Sequence, residues 1–343
     1  TMNDATLTPV SEIEATLISD LKECINLLPA SWSGQDLARA TSGAAATLLG
    51  KIYLRNHDYA NAKTYIDMVL NSGQYELESD FKYVWSENNK YGKEMIFALL
   101  HETGNNAAEI ACHFGPSDHP EVPGRWQYYG VSLPFWRSYD KEDPRREFFY
   151  YDYTGDAKRD DQSDYGFHYM VPEEGVTVVP NDTTKYMQNV ATMKYTYDMI
   201  SDAYYDGRTI CIFRLSDVIL CKAEIENNLN GPAAALPYLN QIRARAGAPE
   251  YGKHNRFPAP STKEAMNDAI LKERGYELVF EFQRRADLIR FGKYEEVVNA
   301  HLKKLGIAQP TNVTSSLRYF PYPLNDAQLN PNLAAENPSR LPK

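Results

Sequence analysis

Charged residues that could act as an acid and a base are concentrated in one stretch of the chain. They are Glu273, Arg274, Glu277, Glu281, Arg284, Arg285, Asp287 and Arg290. Glu273, Glu277 and Glu281 recur every four residues, so they share one face if the stretch is helical. Two carboxylates could together hydrolyse a glycosidic bond, but the pair that does so is defined in space and not by spacing along the chain. Because basic and apolar residues surround these carboxylates, we interpret the cluster as ion pairs that fix the geometry of a partly buried helix.

Motifs for metal-dependent or nucleotide chemistry are absent from the sequence. It contains no HExxH, HxH, EF-hand loop, GxSxG, Walker loop or GxGxxG. His113 and His119 stand close together but have no third ligand in register. Several aspartates lie between residues 152 and 164, but Lys158 and Arg159 stand among them. These two cations favour a solvated loop over a calcium site. The four cysteines lack CxxC spacing, and three of them (Cys24, Cys211 and Cys221) lie in apolar contexts that favour buried free thiols. We therefore predict no metal, no cofactor and no catalysis.

Composition restricts the class of protein further. The chain has 343 residues, of which 43% are hydrophobic and 24% charged, which is typical of a folded globular protein. A net charge of -10 and the lack of a basic stripe argue against nucleic acid as a partner. No apolar run approaches the roughly 18 residues needed to cross a bilayer, and the first residues have no apolar signal core. The 25 tyrosines outnumber the 13 phenylalanines, and rings with a polar group suit wet binding surfaces.

The spacing of small and apolar residues predicts helices near the amino terminus and again later in the chain. Residues 9–72 are predicted to form three helices, in which Gly50 and Ala62 stand twelve residues apart. The same spacing separates Ala223 and Ala235. Small residues at this spacing allow two consecutive helices to approach closely, as in tetratricopeptide repeats. The spacing therefore predicts two helical hairpins in a repeat scaffold.

The rest of the chain is predicted to be partly irregular. Residues 78–208 are rich in Gly, Pro, Asp, Asn and Tyr, with the apolar extended runs EMIFALLH and TICIFRLS near the edges, and loops this long are usually functional. Residues 209–305 are predicted to form repeat helices, including a long amphipathic helix over residues 263–298 with a break at Gly292. Residues 306–343 contain repeated prolines, which favour an extended ribbon. The predicted fold is all-α, a tetratricopeptide-like helical repeat scaffold with long irregular loop insertions and an extended Pro-rich carboxy-terminal tail.

Four segments resemble the SusD/RagB family. The charged stretch ERGYELVFEFQRRADLIRFGKY is similar to the most characteristic part of that family. RATSGAAATLLGKIYLRNHDYANA resembles a family repeat, and FRLSDVILCKAEIENNLNGPAAALPYLNQIRARAG resembles an arginine-led repeat helix and the turn that follows it. The ending YPLNDAQLNPNLAAENP is similar to the Pro-rich close of the family. The region 104–205 matches only loosely, as expected if it determines ligand choice.

The resemblance implies a location and a partner. It implies a cell-surface lipoprotein of the bacterial outer membrane, attached through a lipidated cysteine near the amino terminus, with a SusC-like, TonB-dependent transporter as partner. Cys24 lies inside a predicted helix and does not fit the lipid site. We therefore expect residues 1–343 to form a single domain of this family that lacks its amino-terminal part, with any membrane attachment through an anchor absent from this chain.

Ligand contacts are expected in the segment 104–136. The resemblance implies a sugar ligand, which offers apolar C–H faces and hydroxyl groups, so that its receptor needs flat exposed rings with polar side chains at their edges. Trp126, Tyr128 and Tyr129 lie between Gly124 and Gly130 and are predicted to stack on the ligand. The candidates for hydrogen bonds to it are Arg125, His113, Asp118, Asn105 and Asn106.

The leading hypothesis is a receptor that binds oligosaccharide or polysaccharide without chemistry and delivers it to the transporter. A peptide receptor on the same scaffold is the first alternative, because an acidic, Tyr-rich loop could also bind peptides. A second alternative is a repeat adaptor that recognises only other proteins through a concave groove. A hydrolase is the alternative among enzymes.

Overall fold

Helices form most of the regular structure of the protein. The computed structural model describes residues 6–102, 109–122, 125–155, 167–174, 184–198, 207–304, 313–314 and 320–336. The α-helices in these ranges are α1 (Val10–Leu27), α2 (Ser42–Arg55), α3 (Tyr59–Leu70), α4 (Ile110–Phe114), α5 (Leu133–Arg137), α6 (Leu215–Asn230), α7 (Pro232–Ala246), α8 (Lys263–Glu277), α9 (Arg284–Arg290), α10 (Tyr294–Lys304), α11 (Leu324–Leu329) and α12 (Pro331–Glu336).

Short strands form three small sheets within the described ranges. The strands are β1 (Met95–Leu99), β2 (Val131–Ser132), β3 (Phe149–Tyr150), β4 (Asp152–Thr154), β5 (His168–Met170), β6 (Thr184–Tyr186), β7 (Asn189–Thr192) and β8 (Ile210–Arg214). β1 pairs antiparallel with β8, and β7 pairs antiparallel with both β2 and β3. β5 pairs antiparallel with β4 and parallel with β6. The prediction of an all-α fold is wrong for these strands, because most of them are too short for apolar alternation to stand out in a sequence.

Two helical hairpins occur where the small residues predicted them. In the α2–α3 hairpin, a Cβ atom added at Gly50 would lie 2.9 Å from Cδ1 of Ile66, and Ala62 is fully buried. In the α6–α7 hairpin, Ala223 and Ala235 are also fully buried. The close approach of consecutive helices is thus confirmed, whereas the assignment of these hairpins to tetratricopeptide repeats stays a prediction.

Helix α6 is the centre of the helical core. Every residue from Leu215 to Asn227 is buried, as expected for a helix that is surrounded by other elements. Val218 and Ile225 pack against α2 and α3, whereas Ile219 packs against α7 and α8. Since α6 follows β8 directly, the strand pair β1–β8 is held against this core.

The predicted long helix over residues 263–298 is interrupted twice. Helix α8 ends at Glu277, and the turn 278–283 separates it from α9. Phe280 and Phe282 in this turn both have φ near 61°, a left-handed conformation that no helix continues through. Gly292, with φ of 68°, separates α9 from α10 as predicted. The apolar periodicity concealed the first break because it runs on through the turn.

The predicted extended tail is wrong for residues 324–336. Helices α11 and α12 occur there, and each begins beside a proline, at Pro323 and Pro331. Proline lacks an N–H group, but the first N–H groups of a helix have no acceptor within the helix. The prolines therefore initiate short helices instead of preventing them.

Candidate functional site

A buried network of ion pairs joins the turn after α8 to the rest of the fold. Arg214, which is 2% exposed, donates to the carboxylates of Glu94, Glu277 and Glu281 over distances of 2.6 to 2.8 Å. The Nζ atom of Lys194 also donates to Glu281, at 2.6 Å. Burial by itself raises the pKa of Glu277, but surrounding cations such as Arg214 outweigh it and hold that pKa below its ordinary value. These contacts confirm the predicted ion pairs of the charged cluster, whose carboxylates are buried and engaged by cations.

A second branch of this network attaches α9 to the helical core. Arg274 is 1% exposed and donates to Asp217 at 2.7 Å and to Asp287 at 2.8 Å. Lys51 of α2 also pairs with Asp217, while Arg290 pairs with Asp287 at 3.0 Å. Burial raises the pKa of Asp217, but the charges of Lys51 and Arg274 lower it further than burial raises it. The turn 278–283 is therefore anchored at both ends.

The segment 125–130 lies along the short helix α4. The backbone N–H of Trp126 donates to the carbonyl oxygen of Cys112 at 2.8 Å, and that of Tyr129 donates to the carbonyl of His113 at 3.1 Å. These two bonds attach the segment to consecutive residues of α4. They place the rings of Trp126 and Tyr129 on the side of His113.

Gln127 secures the same segment from its other side. Its backbone has φ of 48°, and its side-chain oxygen accepts from the N–H of Ser117 at 3.1 Å. Its side-chain nitrogen donates to Oδ1 of Asn189, on β7, at 3.0 Å. Gly130 fits here because a Cβ atom would lie 2.3 Å from the same Asn189 oxygen. The sequence did not single out Gln127 or Asn189, since neither amide belongs to a recognisable motif.

Three exposed rings surround the imidazole of His113. Trp126, Tyr128 and Tyr129, called here the aromatic patch, are 39%, 65% and 56% exposed. Their ring centroids lie 5.2, 5.4 and 6.3 Å from that of His113. Trp126 and Tyr128 are 5.4 Å apart and tilted by 36°, so they form a shallow angled surface. The structure thus brings these four residues together, their contact with a ligand stays a prediction, and the surface offers flat faces for apolar C–H groups.

His113 contributes polar atoms to this surface. Its Nδ1 is buried and has no hydrogen-bond partner among the described residues. Its Nε2 lies 3.7 Å from the carboxylate of Glu109. Because Nδ1 is buried, only Nε2 can match a ligand hydroxyl, and it donates or accepts according to the tautomer of the ring. The patch can therefore combine stacking with at least one hydrogen bond.

The other predicted contact residues are placed differently. Arg125 is 4% exposed and its guanidinium donates to Sγ of Cys112 at 3.5 Å, so the structure places it beneath the surface. Asp118 is half-buried and accepts from the hydroxyl of Tyr169 at 2.7 Å. Asn105 and Asn106 lie outside the described residues. The structure thus assembles the rings and His113, but gives Arg125 a supporting position.

The described residues also bear on metal sites and on membrane spans. No group of three or more His, Cys, Asp or Glu side chains within the described ranges is arranged to hold a metal ion. Among the helices of these ranges, none combines the length and the apolar character that a bilayer crossing requires.

Comparisons with solved structures agree on the fold. A SusD superfamily protein from Bacteroides vulgatus aligns over 97% of this chain and 69% of its own, with a TM-score of 0.69 and 23% identity. The surface glycan-binding protein A from Bacteroides thetaiotaomicron, solved in complex with laminarihexaose, aligns over 94% of this chain and 70% of its own. Its TM-score is 0.71 and its identity is 21%. At these identities the similarity concerns the fold alone.

Sequence comparison extends this similarity to the level of the family. SusD-like protein P25 from Formosa agariphila is 26% identical over 342 residues, an alignment that covers 93% of this chain. The same alignment covers 62% of P25, so the chain spans less than two thirds of that relative's length. The sequence profile of the SusD family matches residues 93–339, which include the aromatic patch, α6 and the charged cluster. The protein is accordingly a member of the SusD family.

Proposed function

We propose that this protein binds a glycan on the aromatic patch and does not transform it chemically. The observation that carries the proposal is the convergence of Trp126, Tyr128 and Tyr129 on His113 with all three rings exposed. Aromatic rings left open to water contribute little to the stability of the fold, whereas they provide stacking faces for the apolar side of a sugar ring. The His113 imidazole then accepts or donates one hydrogen bond to a hydroxyl group.

The names of related proteins support this class of ligand. One similar structure carries bound laminarihexaose, and another is named a laminarin-binding SusD-like protein. A partial match over 39% of this chain is the starch-binding protein SusD from Bacteroides thetaiotaomicron. In this proposal Arg125, although buried, supports the segment that carries the rings. Asp118 contributes at the edge of the site, and Asn105 and Asn106 remain candidates for hydrogen bonds.

The proposal includes a cellular role for the whole protein. It acts as a cell-surface lipoprotein of the bacterial outer membrane, held by an amino-terminal lipid, and delivers the glycan to a SusC-like, TonB-dependent transporter. Membership of the SusD family supports this role. Co-purification of the lipoprotein with such a transporter from detergent-extracted outer membranes is the expected result, and its absence contradicts the delivery step.

The binding step is tested by titration calorimetry with a panel of neutral hexasaccharides that includes laminarihexaose and maltohexaose. We expect at least one of these hexasaccharides to bind the wild type. Trp126→Ala should lower the affinity for it roughly tenfold, which corresponds to about 1.4 kcal/mol. The matched control is Tyr83→Ala. It removes a ring that is 44% exposed but lies outside the patch. Unchanged affinity in Trp126→Ala would remove the patch from the site.

The same samples separate the alternatives. Binding of defined peptides without any glycan would indicate a peptide receptor. Capture of a membrane protein without binding of any small ligand would indicate an adaptor. Release of reducing ends from a polysaccharide would establish a hydrolase and overturn the non-catalytic proposal.

A further inference from the structure

Phe282 is an exposed ring that the aromatic patch does not include. It lies in the turn 278–283 and is 66% exposed, although the sequence pattern placed it among buried residues of a helix. We propose that Phe282 is a second stacking residue, so that a bound glycan chain runs from the aromatic patch across Phe282. This inference rests on the proposed function and adds to it a selectivity for longer chains.

The backbone of the turn supports a role for this ring. Phe280 and Phe282 both adopt φ of 61°, a conformation that bulky side chains rarely adopt because Cβ crowds the backbone. Such strain persists only where surrounding contacts impose it, and it is concentrated at functional positions. Glycine would satisfy the same backbone without strain. The ring at position 282 is therefore retained at an energetic cost.

Buried contacts impose this conformation. The carboxylate of Glu281 is held inward by Arg214 and Lys194, each at 2.6 Å. The hydroxyl of Tyr195 donates to the carbonyl oxygen of Phe280 at 2.8 Å. With Glu281 fixed inward, the neighbouring side chain of Phe282 is directed to the surface. The ring is thus presented by a rigid support, as a binding residue requires.

Phe282 continues the surface of the aromatic patch. Phe114, which is 7% exposed, lies between the two. Its ring centroid is 6.3 Å from that of Phe282, and 5.2 Å from that of Tyr129. Phe114 therefore forms the floor between the patch and Phe282. A ligand that covers Tyr129 and extends in this direction reaches Phe282 next.

A groove bordered by Phe282 can receive the continuing chain. It lies between α2 and α9, and Phe282 forms part of its wall. The apolar side chains of Leu48 and Ile289 line it together with Arg55 and His57, whose nitrogen atoms can donate to hydroxyl oxygens. Apolar surface combined with a few donors is typical of sites for carbohydrate.

The test compares Phe282→Gly with Trp126→Ala, using the hexasaccharide of the panel that binds tightest and its disaccharide. We expect Phe282→Gly to lower the affinity for the hexasaccharide about tenfold and to leave the affinity for the disaccharide unchanged. Trp126→Ala is expected to lower the affinity for both sugars. Because glycine tolerates positive φ, the melting temperature of Phe282→Gly should equal or exceed that of the wild type, which excludes misfolding as the cause.

The controls separate the two proposals. Phe282→Tyr keeps the ring and should bind the hexasaccharide like the wild type, as should Leu27→Ala, which truncates a 73% exposed side chain on α1. Normal hexasaccharide affinity in Phe282→Gly, with weak binding in Trp126→Ala, overturns the role of Phe282 alone. Normal affinity in both variants, or no hexasaccharide binding by the wild type, overturns the proposed function as well.

Discussion

Glu281 and Phe282 are neighbours in the chain whose side chains lie on opposite sides of one turn. The carboxylate of Glu281 is bound inside the protein by Arg214 and Lys194, whereas the ring of Phe282 is 66% exposed. The partners of Glu281 come from the end of β8 and from the segment after β7. A buried ion network drawn from distant segments thus determines which ring the surface presents.

Loss of one carboxylate from this network should destabilise the fold strongly. Glu277→Gln removes a negative charge that pairs with Arg214, Arg145 and Arg245, so these buried cations are less well neutralised. We expect the free energy of unfolding to fall by about 3 kcal/mol, measured by urea denaturation. Glu296→Gln is the control, because the side chain of Glu296 is 71% exposed and its loss should cost less than about 0.5 kcal/mol. Equal losses in both variants would contradict a structural role for the network.

Acid should unfold the protein through the same carboxylates. Burial raises the pKa values of Glu277 and Asp217, but the nearby cations outweigh burial and hold both below their ordinary values. A carboxylate whose pKa is lower in the folded state contributes stability above its unfolded pKa of roughly 4, and this contribution is lost as the pH falls. We expect the free energy of unfolding to change little between about pH 7 and 5 and to decline steeply below about pH 4.5.

The decline with pH can be assigned to Glu277 by comparing slopes. Glu277→Gln removes one of the groups that takes up a proton on unfolding, so its free energy of unfolding should decline less steeply below about pH 4.5. Glu296→Gln should keep the wild-type slope. If Glu277→Gln shows the wild-type slope, protonation of Glu277 is not coupled to unfolding.

The hydrogen bond between Gln127 and Asn189 should raise the affinity for the ligand, although neither residue belongs to the aromatic patch. Asn189→Ala removes the oxygen that accepts from Gln127 at 3.0 Å, so the segment 125–130 loses one of its supports. We expect the affinity for the hexasaccharide to fall several-fold, about 1 kcal/mol, because ordering this segment on binding costs entropy. Asn189→Asp retains an acceptor oxygen and should bind more tightly than Asn189→Ala. Wild-type affinity in Asn189→Ala would show that the remaining bonds suffice.

The contact between Gly50 and Ile66 should limit substitution in the first hairpin. A Cβ atom at position 50 would lie 2.9 Å from Cδ1 of Ile66, which is fully buried. Although alanine favours a helix over glycine, we expect Gly50→Ala to lower the free energy of unfolding by about 1 kcal/mol through overpacking. Ile66→Val removes that Cδ1 atom, so the double variant should be more stable than the sum of the two single losses predicts. Strictly additive losses would argue against the contact.

Much of the helical framework and part of the candidate site could be predicted from the sequence. Gly50 and Ala62 marked a helical hairpin because close packing of neighbouring helices requires small side chains at a regular spacing. Trp126, Tyr128 and Tyr129 were predicted to contact a ligand because they stand in a Gly- and Pro-rich loop, where a large ring is harder to explain as part of the core. The charged cluster was recognised as structural from the alternation of opposite charges with apolar residues. Each of these inferences depends on residues close together in the chain.

The remaining features depend on contacts between distant residues. Periodicity extended the helix after Lys263 through Phe280 and Phe282, yet the chain turns after Glu277. The candidate ligand residue Arg125 proved to be 4% exposed, because Gly115 and Cys112 of the α4 region lie against its side chain. Burial of a long polar side chain is decided by what packs over it, and this cannot be read from its neighbours in sequence.

The sequence by itself determined the family, the helical hairpins and the presence of a buried charged cluster, since these follow from local spacing. Only the tertiary structure decided which aromatic rings share one surface and which face of the turn after α8 is exposed. The physical reason is that Arg214 reaches Glu281 across 67 residues of chain, and their ion pair fixes the turn that presents Phe282.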